Sequence, residues 1–262
     1  MPTEEKRLAA LASLLPEGRG GLLRWPEEAD STNLALRALA EAGAAAGSAC
    51  LAEGQTAGRG RLGRRFASPA GKGLYLSYLL RPRLAPEEIG ELPAWTAAAA
   101  RRAVKRCCGL DTEIKWVNDL LAGGRKLCGI LAEGVLREGK VQSVILGIGI
   151  NTAAGREDFP PELRETATSV LLETGRAPDR AVLAAALLRE LDALAESFPQ
   201  GRREVWEEYR AHCVTLGKTV TLSDGTEGTA EELGEDFSLL VRLSDGSLRR
   251  LRSGEASLHR SV

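Results

Sequence analysis

With 262 residues, 44% of them hydrophobic, the chain is long enough for one substantial core and a small appended module. Its 35 Lys and Arg against 36 Asp and Glu leave a formal charge of -1, which excludes a global basic field for nucleic acid or an anionic membrane and makes any anion site local. Residues 1–20 mix charges into their apolar positions and lack the continuous apolar stretch of a signal peptide or membrane span, so the chain is expected in the cytoplasm.

Residues 1–23 read as a short helix, with Leu8, Leu11 and Leu15 on one face, followed by a Gly-rich connection. A second helix is expected from Ser31 or Thr32 to Gly43, because Ser and Thr suit an N-cap and Gly suits the position after the C-cap. A strand from Ala49 to Glu53 follows. Then comes a Gly- and Arg-rich stretch from Gly54 to Gly73, and the apolar run Leu74 to Leu80 reads as a buried strand. Pro86 and Glu87 open a long helix whose apolar face runs through Ile89, Leu92, Ala100, Ala103 and Cys107, before a strand from Glu113 to Trp116. Leu127 to Leu136 and Val141 to Ile148 have the order of a hairpin. The second of these is apolar on both faces and carries Gly147 and Gly149, so it is either covered on both sides or closely approached by a ligand. Asp179 caps a helix bearing Leu183, Leu187, Leu191, Leu194 and Phe198, ended by Pro199 and Gly201, and a shorter helix with Val205, Trp206 and Tyr209 follows. After His212 two Asp-Gly turns separate short alternating segments, so a small β-barrel is expected to close the chain. Cys50, Cys107, Cys108, Cys128 and Cys213 form no Cys-x-x-Cys pair, and His212 and His259 form no cluster. They are expected to be reduced packing thiols, without structural zinc.

The segment from Glu53 to Arg65 is the most informative. Glycines let backbone N–H groups approach phosphate oxygens, and arginines add a permanent, bidentate charge. It lacks the Lys-Ser/Thr of a P-loop and the G-x-G-x-x-G of a dinucleotide fold. Taken alone it is an anion cradle, a solvated basic loop or an RNA-binding tract. Ile114 to Leu120 sets Lys115 at a strand end and then an Asn118-Asp119 turn; the lysine reaches a phosphate or carboxylate and Asp119 serves as a base or a metal ligand, or the segment is a plain polar turn. Arg125 and Lys126 open the next strand with two cations, and Asp30-Ser31-Thr32-Asn33 reads first as a helix cap.

In order and spacing, Asp30 to Asn33, Gln55 to Arg61, Lys115 to Asp119, Arg125 to Leu131 and Gly147 to Asn151 resemble the catalytic domain of biotin protein ligases. Ser253 to Leu258 looks like the closing motif of that family's SH3-like domain, so the resemblance runs from about residue 24 to the end. It implies an α+β fold: a mixed, largely antiparallel sheet packed with helices over residues 24–213, then an SH3-like β-barrel over 214–262. The implied activity is biotin–[acetyl-CoA-carboxylase] ligation: biotin and ATP, with Mg²⁺ carried on the nucleotide rather than at a fixed protein site, give biotinyl-5′-adenylate, and the biotinyl group passes to a lysine of a biotin carboxyl carrier protein. Biotin contacts are implied at Ser31, Thr32, Asn33, Gln55, Gly58, Arg59, Gly60, Arg61, Lys126 and Gly129. ATP contacts are implied at Arg59, Arg61, Arg64, Arg65, Phe66, Lys115, Asn118, Lys126 and Asn151. The catalytic set is Arg59, Arg61, Lys115, Asp119 and Lys126. The ureido ring offers one acceptor and two N–H donors that hydroxyls and amides satisfy, and Leu74, Leu76 and the glycines from Gly147 to Gly149 are expected to wall the rest.

Val117 stands where the family usually has Pro, which removes the ring constraint on that turn, and Phe66 stands where an aromatic, often Trp, follows the loop. The residues before Asp30 are too few for the winged helix of the family's operon repressors, so no specific operator binding is expected. A homodimer through the sheet is a family property that no residue here marks. The rival readings are a lipoate or octanoate ligase, whose fatty substrates need no ureido partners, and a noncatalytic RNA-binding protein, disfavoured by an aromatic content of 4%.

Overall fold

Alternation and helical spacing set most elements within a residue or two of their observed ends. The computed structural model describes residues 2–252 and the backbone of 256–258. In chain order it forms α1 (Glu4–Ala12), β1 (Leu23–Arg24), β2 (Glu28–Ala29), α2 (Thr32–Glu41), β3 (Ala49–Ala52), β4 (Gly54–Gln55) and β5 (Gly73–Leu80). There follow α3 (Leu92–Cys108), β6 (Glu113–Lys115), β7 (Asp119–Ala122), β8 (Arg125–Arg137), β9 (Lys140–Asn151), α4 (Val170–Thr174), α5 (Arg180–Ser197) and α6 (Arg202–His212). The C-terminal strands are β10 (Thr219–Leu222), β11 (Glu227–Leu233), β12 (Leu239–Leu243), β13 (Leu248–Leu251) and β14 (Ala256–Leu258).

The main sheet has seven strands in the order β1-β3-β5-β9-β8-β7-β6, antiparallel throughout except for the parallel pair β1-β3. It is the expected mixed sheet. Because side chains alternate along a strand, each face carries its own set. Leu74, Leu76, Ile130, Ile148 and Ile150 enter the large core that α3 and α5 cover, whereas Leu79 and Ile145 meet Leu36 and Ala40 of α2 on the other face. This corrects the expectation for Leu74 and Leu76: both lie on the helix-covered face, so they do not wall a pocket beside Ser77.

Pro86 opens a 3-10 helix over Pro86–Glu91, and the α-helix proper starts at Leu92 with Pro93 in its first turn, where a missing N–H leaves no helical bond unmade. The expected single helix is thus two. Asp179 caps α5 as expected, its carboxylate accepting from the backbone N–H of Ala181 and Val182. The first helix is shorter than its leucine pattern: Leu15 lies beyond its end, while Leu11 is fully buried and Arg7 donates to the carbonyl of Trp25.

The C-terminal segment is a five-stranded antiparallel sheet, β13-β12-β11-β10-β14, consistent with an SH3-like domain. Of the closing motif, residues 253–255 lie outside the described residues, as does His259. The indole N–H of Trp116 donates to Phe237 O and that of Trp206 to Gly234 O, while Tyr209 meets Phe237 edge-on, so this sheet is tied to the main one.

Candidate active site

The face of the main sheet that carries α2 holds the chemistry-bearing residues. Three glycines give it a low floor. A Cβ built on Gly147 would lie 2.3 Å from Asn33 Oδ1, one on Gly149 would lie 2.5 Å from the Phe66 ring, and one on Gly129 would lie 3.1 Å from both the Phe66 ring and Lys126 Cε. The glycines of β8 and β9 are therefore required by the close approach of the Asn33, Phe66 and Lys126 side chains, and β9 is also covered on both faces, the first of the two explanations the sequence left open.

At one end of this floor lies a buried polar chain. Ser31 occupies the N-cap of α2 in extended conformation, yet its side chain makes no capping bond. The cap comes instead from Gln55, whose Oε1 accepts from Thr32 N at 2.9 Å and Thr32 Oγ1 at 3.2 Å. The Gln55 amide donates to Ser68 Oγ, which donates to Phe66 O. Ser77 Oγ, from the middle of β5, lies 2.8 Å from Thr32 Oγ1 and 2.5 Å from Asn33 Oδ1, with one proton to give. Asn33 Nδ2 donates to Glu133 at 2.7 Å, and Arg59 Nη1 lies 3.1 Å from the other oxygen of that carboxylate.

The Gly-Arg segment is an ordered hairpin-like loop above this floor. Phe66 N donates to Gly58 O and Gly60 N to Arg64 O. Gly58 has no room for a Cβ, which would lie 2.4 Å from Phe66 O. Leu62 sits at the tip with φ 55°, 77% exposed, a left-handed conformation uncommon for a branched residue. Arg61 donates to Asn118 Oδ1, and Asn118 in turn donates to Ile130 O of β8. Arg64 and Arg65 are exposed, Arg65 donating to Thr56 O. Phe66 meets Tyr75 edge-on at 6.4 Å.

Beyond the aromatic ring, Lys126 Nζ lies 2.8 Å from Asp119 Oδ1, and β6 brings Lys115 opposite Asp119 in register. Val117 is 2% exposed, and Trp116 is pinned by Thr215 Oγ1 and Phe237 O, so packing rather than a proline ring fixes this turn. Asn151 spends its amide on Thr168 O, whose own N–H donates to Lys126 O. Cys128, buried next to Asp119, has its thiol pushed far up by desolvation and then by that carboxylate, so it stays protonated and no nucleophile is offered. The polar and charged site residues expected from sequence thus gather at this face and the loop above it, whereas Leu74 and Leu76 do not. Ser68, Ser77 and Glu133 were missed. For Ser77 the one signal was a polar residue inside an otherwise apolar run, and Ser68 and Glu133 carried none.

A family model described as the biotin/lipoate A/B protein ligase family matches residues 25–151. The bifunctional ligase/repressor BirA of Bacillus subtilis (strain 168) is 33% identical over 250 residues, spanning 94% of this chain and 76% of that protein. The biotin--[acetyl-CoA-carboxylase] ligase of Paracoccus denitrificans is 33% identical over 228 residues, spanning 81% of this chain and 91% of that one. The solved biotin protein ligase from Aquifex aeolicus in complex with biotin and ATP superposes with a TM-score of 0.77 at 30% identity, over 92% of this chain and 99% of that one. The chain belongs to the biotin/lipoate A/B protein ligase family. Within that family it groups with the biotin protein ligases.

Proposed function

We propose that this chain activates biotin with ATP and transfers the biotinyl group to a lysine of a biotin carboxyl carrier protein. The observation that carries the reading is the meeting, on one sheet face, of a buried amide-hydroxyl chain with a cationic loop and the Lys126 ammonium. The first holds the ureido ring through Ser31, Thr32, Asn33 and Gln55, over the floor of Gly129, Gly147 and Gly149. The second holds the carboxylate and triphosphate.

A carboxylate oxygen of biotin attacks the α-phosphorus, the bond to the bridging oxygen breaks, and pyrophosphate leaves. Two anions must meet, so Arg59, Arg61, Lys115 and Lys126 act by neutralising charge and fixing the line of attack, with Mg²⁺ arriving on the nucleotide. Among the described residues no three His, Cys, Asp or Glu side chains come together as a metal site. Phe66, Arg64, Arg65, Asn118 and Asn151 are assigned to the nucleotide side. In the second step the neutral amine of the carrier lysine attacks the acyl carbon and AMP departs. Asp119 orients that amine or takes its proton, and its contact with Lys126 links it to the adenylation site. No helix of the described residues is long and apolar enough to cross a membrane, and we assign the activity to the cytoplasm, where ATP and carrier are at hand.

The test is ATP–pyrophosphate exchange with biotin, lipoate and octanoate offered in parallel. Exchange with biotin and not with the other two is expected, and exchange with lipoate but not biotin would overturn the assignment.

A further inference from the structure

Glu133 sits on β8 four residues beyond Gly129, on the same face of the sheet, and the proposed reaction gives it no part. Its two carboxylate oxygens are divided between two donors: Asn33 Nδ2 at 2.7 Å from Oε2 and Arg59 Nη1 at 3.1 Å from Oε1. The side chain is 21% exposed, so neither contact is a freely solvated one.

The consequence is a direction of hydrogen bonding. A carboxylate only accepts, so Asn33 must turn its NH₂ toward Glu133 and its carbonyl oxygen toward Ser77. Asn33 Oδ1 then takes the Ser77 proton, at 2.5 Å, and lies directly over Gly147. Thr32 Oγ1, next in the chain, commits its own proton to Gln55 Oε1. For a ligand on the glycine floor Asn33 and Thr32 offer oxygen lone pairs, beside the one Asn33 N–H that Glu133 does not take. Such a pocket suits an acid whose ring carries N–H donors and disfavours one that has none.

We infer that Glu133 is a positioning residue that fixes the orientation of the Asn33 amide and holds Arg59, and so makes the pocket selective for a cyclic urea. The inference rests on the biotin reading above. A glutamine at this position cannot do both tasks. If its oxygen faces Asn33, its NH₂ opposes the Arg59 guanidinium, which is always a donor. If its oxygen faces Arg59, its NH₂ meets Asn33, the Asn33 amide turns over, and a donor replaces the acceptor over Gly147.

The decisive experiment is biotin-dependent ATP–pyrophosphate exchange by the full chain. Glu133→Gln is expected to raise the KM for biotin by about 10- to 100-fold while kcat at saturating biotin stays within about threefold. Asn33→Asp alone sets two carboxylates face to face and should bind biotin poorly. In the Asn33→Asp/Glu133→Gln double variant every donor again has an acceptor and an oxygen again faces Ser77, so the KM should return most of the way to wild type. A merely structural role would lower stability and show no such rescue. An unchanged KM in Glu133→Gln, or a double variant no better than its two parents, overturns the inference. Wild-type protein that fails to exchange with biotin at all overturns the functional reading instead.

Discussion

Gly147→Ala tests whether the glycine floor serves the ligand. The added methyl would sit 2.3 Å from Asn33 Oδ1 and 2.9 Å from Asn33 Cγ, so the side chain must move. Asn33 is 5% exposed and bonded at both ends of its amide, which makes the movement expensive. Displacing it gives up one hydrogen bond to a charged group, about 1.5–3 kcal/mol, and one to a neutral hydroxyl, about 0.5–1.5 kcal/mol. The sum, about 2–4.5 kcal/mol, corresponds to a rise of roughly 30- to 1,500-fold in the KM for biotin if both bonds are needed to present the acceptor. The assay is the biotin dependence of pyrophosphate exchange, with thermal unfolding run alongside to establish that the variant is folded. A folded Gly147→Ala protein whose KM for biotin stays within about threefold of wild type would refute the argument that Asn33 over Gly147 holds the substrate.

Asp119→Ala, assayed with preformed biotinyl-adenylate so that only the second step is read, should slow transfer by at least about tenfold, and transfer at the wild-type rate would remove Asp119 from that step. Trypsin should cut the exposed loop at Arg64 or Arg65, and biotin with ATP together should protect it; identical cleavage with and without ligands would show that the loop does not close over them. Glu53 is fully buried, with Arg180 Nη2 at 2.6 Å and Arg7 Nε at 3.8 Å, so Glu53→Ala strands a partly buried guanidinium and should cost about 3–5 kcal/mol in urea unfolding; an unchanged midpoint would contradict this. Burial pushes the Cys50 thiol up to about 11 and Cys128 further, so the reactive thiolate is absent from both at pH 8 and appears only as pH rises toward the folded value; rapid alkylation of either thiol in native protein at pH 8 would disprove it.

What the sequence reveals follows from the range of the signal. Helix α5 and the hairpin β8-β9 announce themselves locally, by a capping Asp179 and by apolar runs flanking a tight turn at Gly139. The short strands β2 and β4 do not, because two parallel residues from each side carry no periodicity, and neither does α4, which is one turn long with its cap at Ser169. At the site, the cationic and glycine positions are legible because their composition is unusual. Ser77 and Glu133 are not, because each is a polar residue in a strand whose partner is 44 or 100 residues away. The N-cap of α2 falls at Ser31 as expected, but the capping bond comes from Gln55, 23 residues on, which no local pattern announces.

The misplacement of Leu74 and Leu76 shows how one strand serves both the core and the site. In β5 the even positions bury Leu74, Leu76, Tyr78 and Leu80 against the helical layer, and the odd positions place Tyr75 and Ser77 beside the ligand floor. A one-residue slip would exchange these sets, so the core that fixes the register also fixes Ser77 opposite Gly147. The same parity on β8 puts Gly129 and Glu133 on the site face, with Cys128 and Ile130 behind. Under the proposed biotin reading, recognition is thus specified by packing on the opposite face of the sheet, and a volume change at Leu76 or Ile148 should disturb biotin affinity before any residue of the site face is altered.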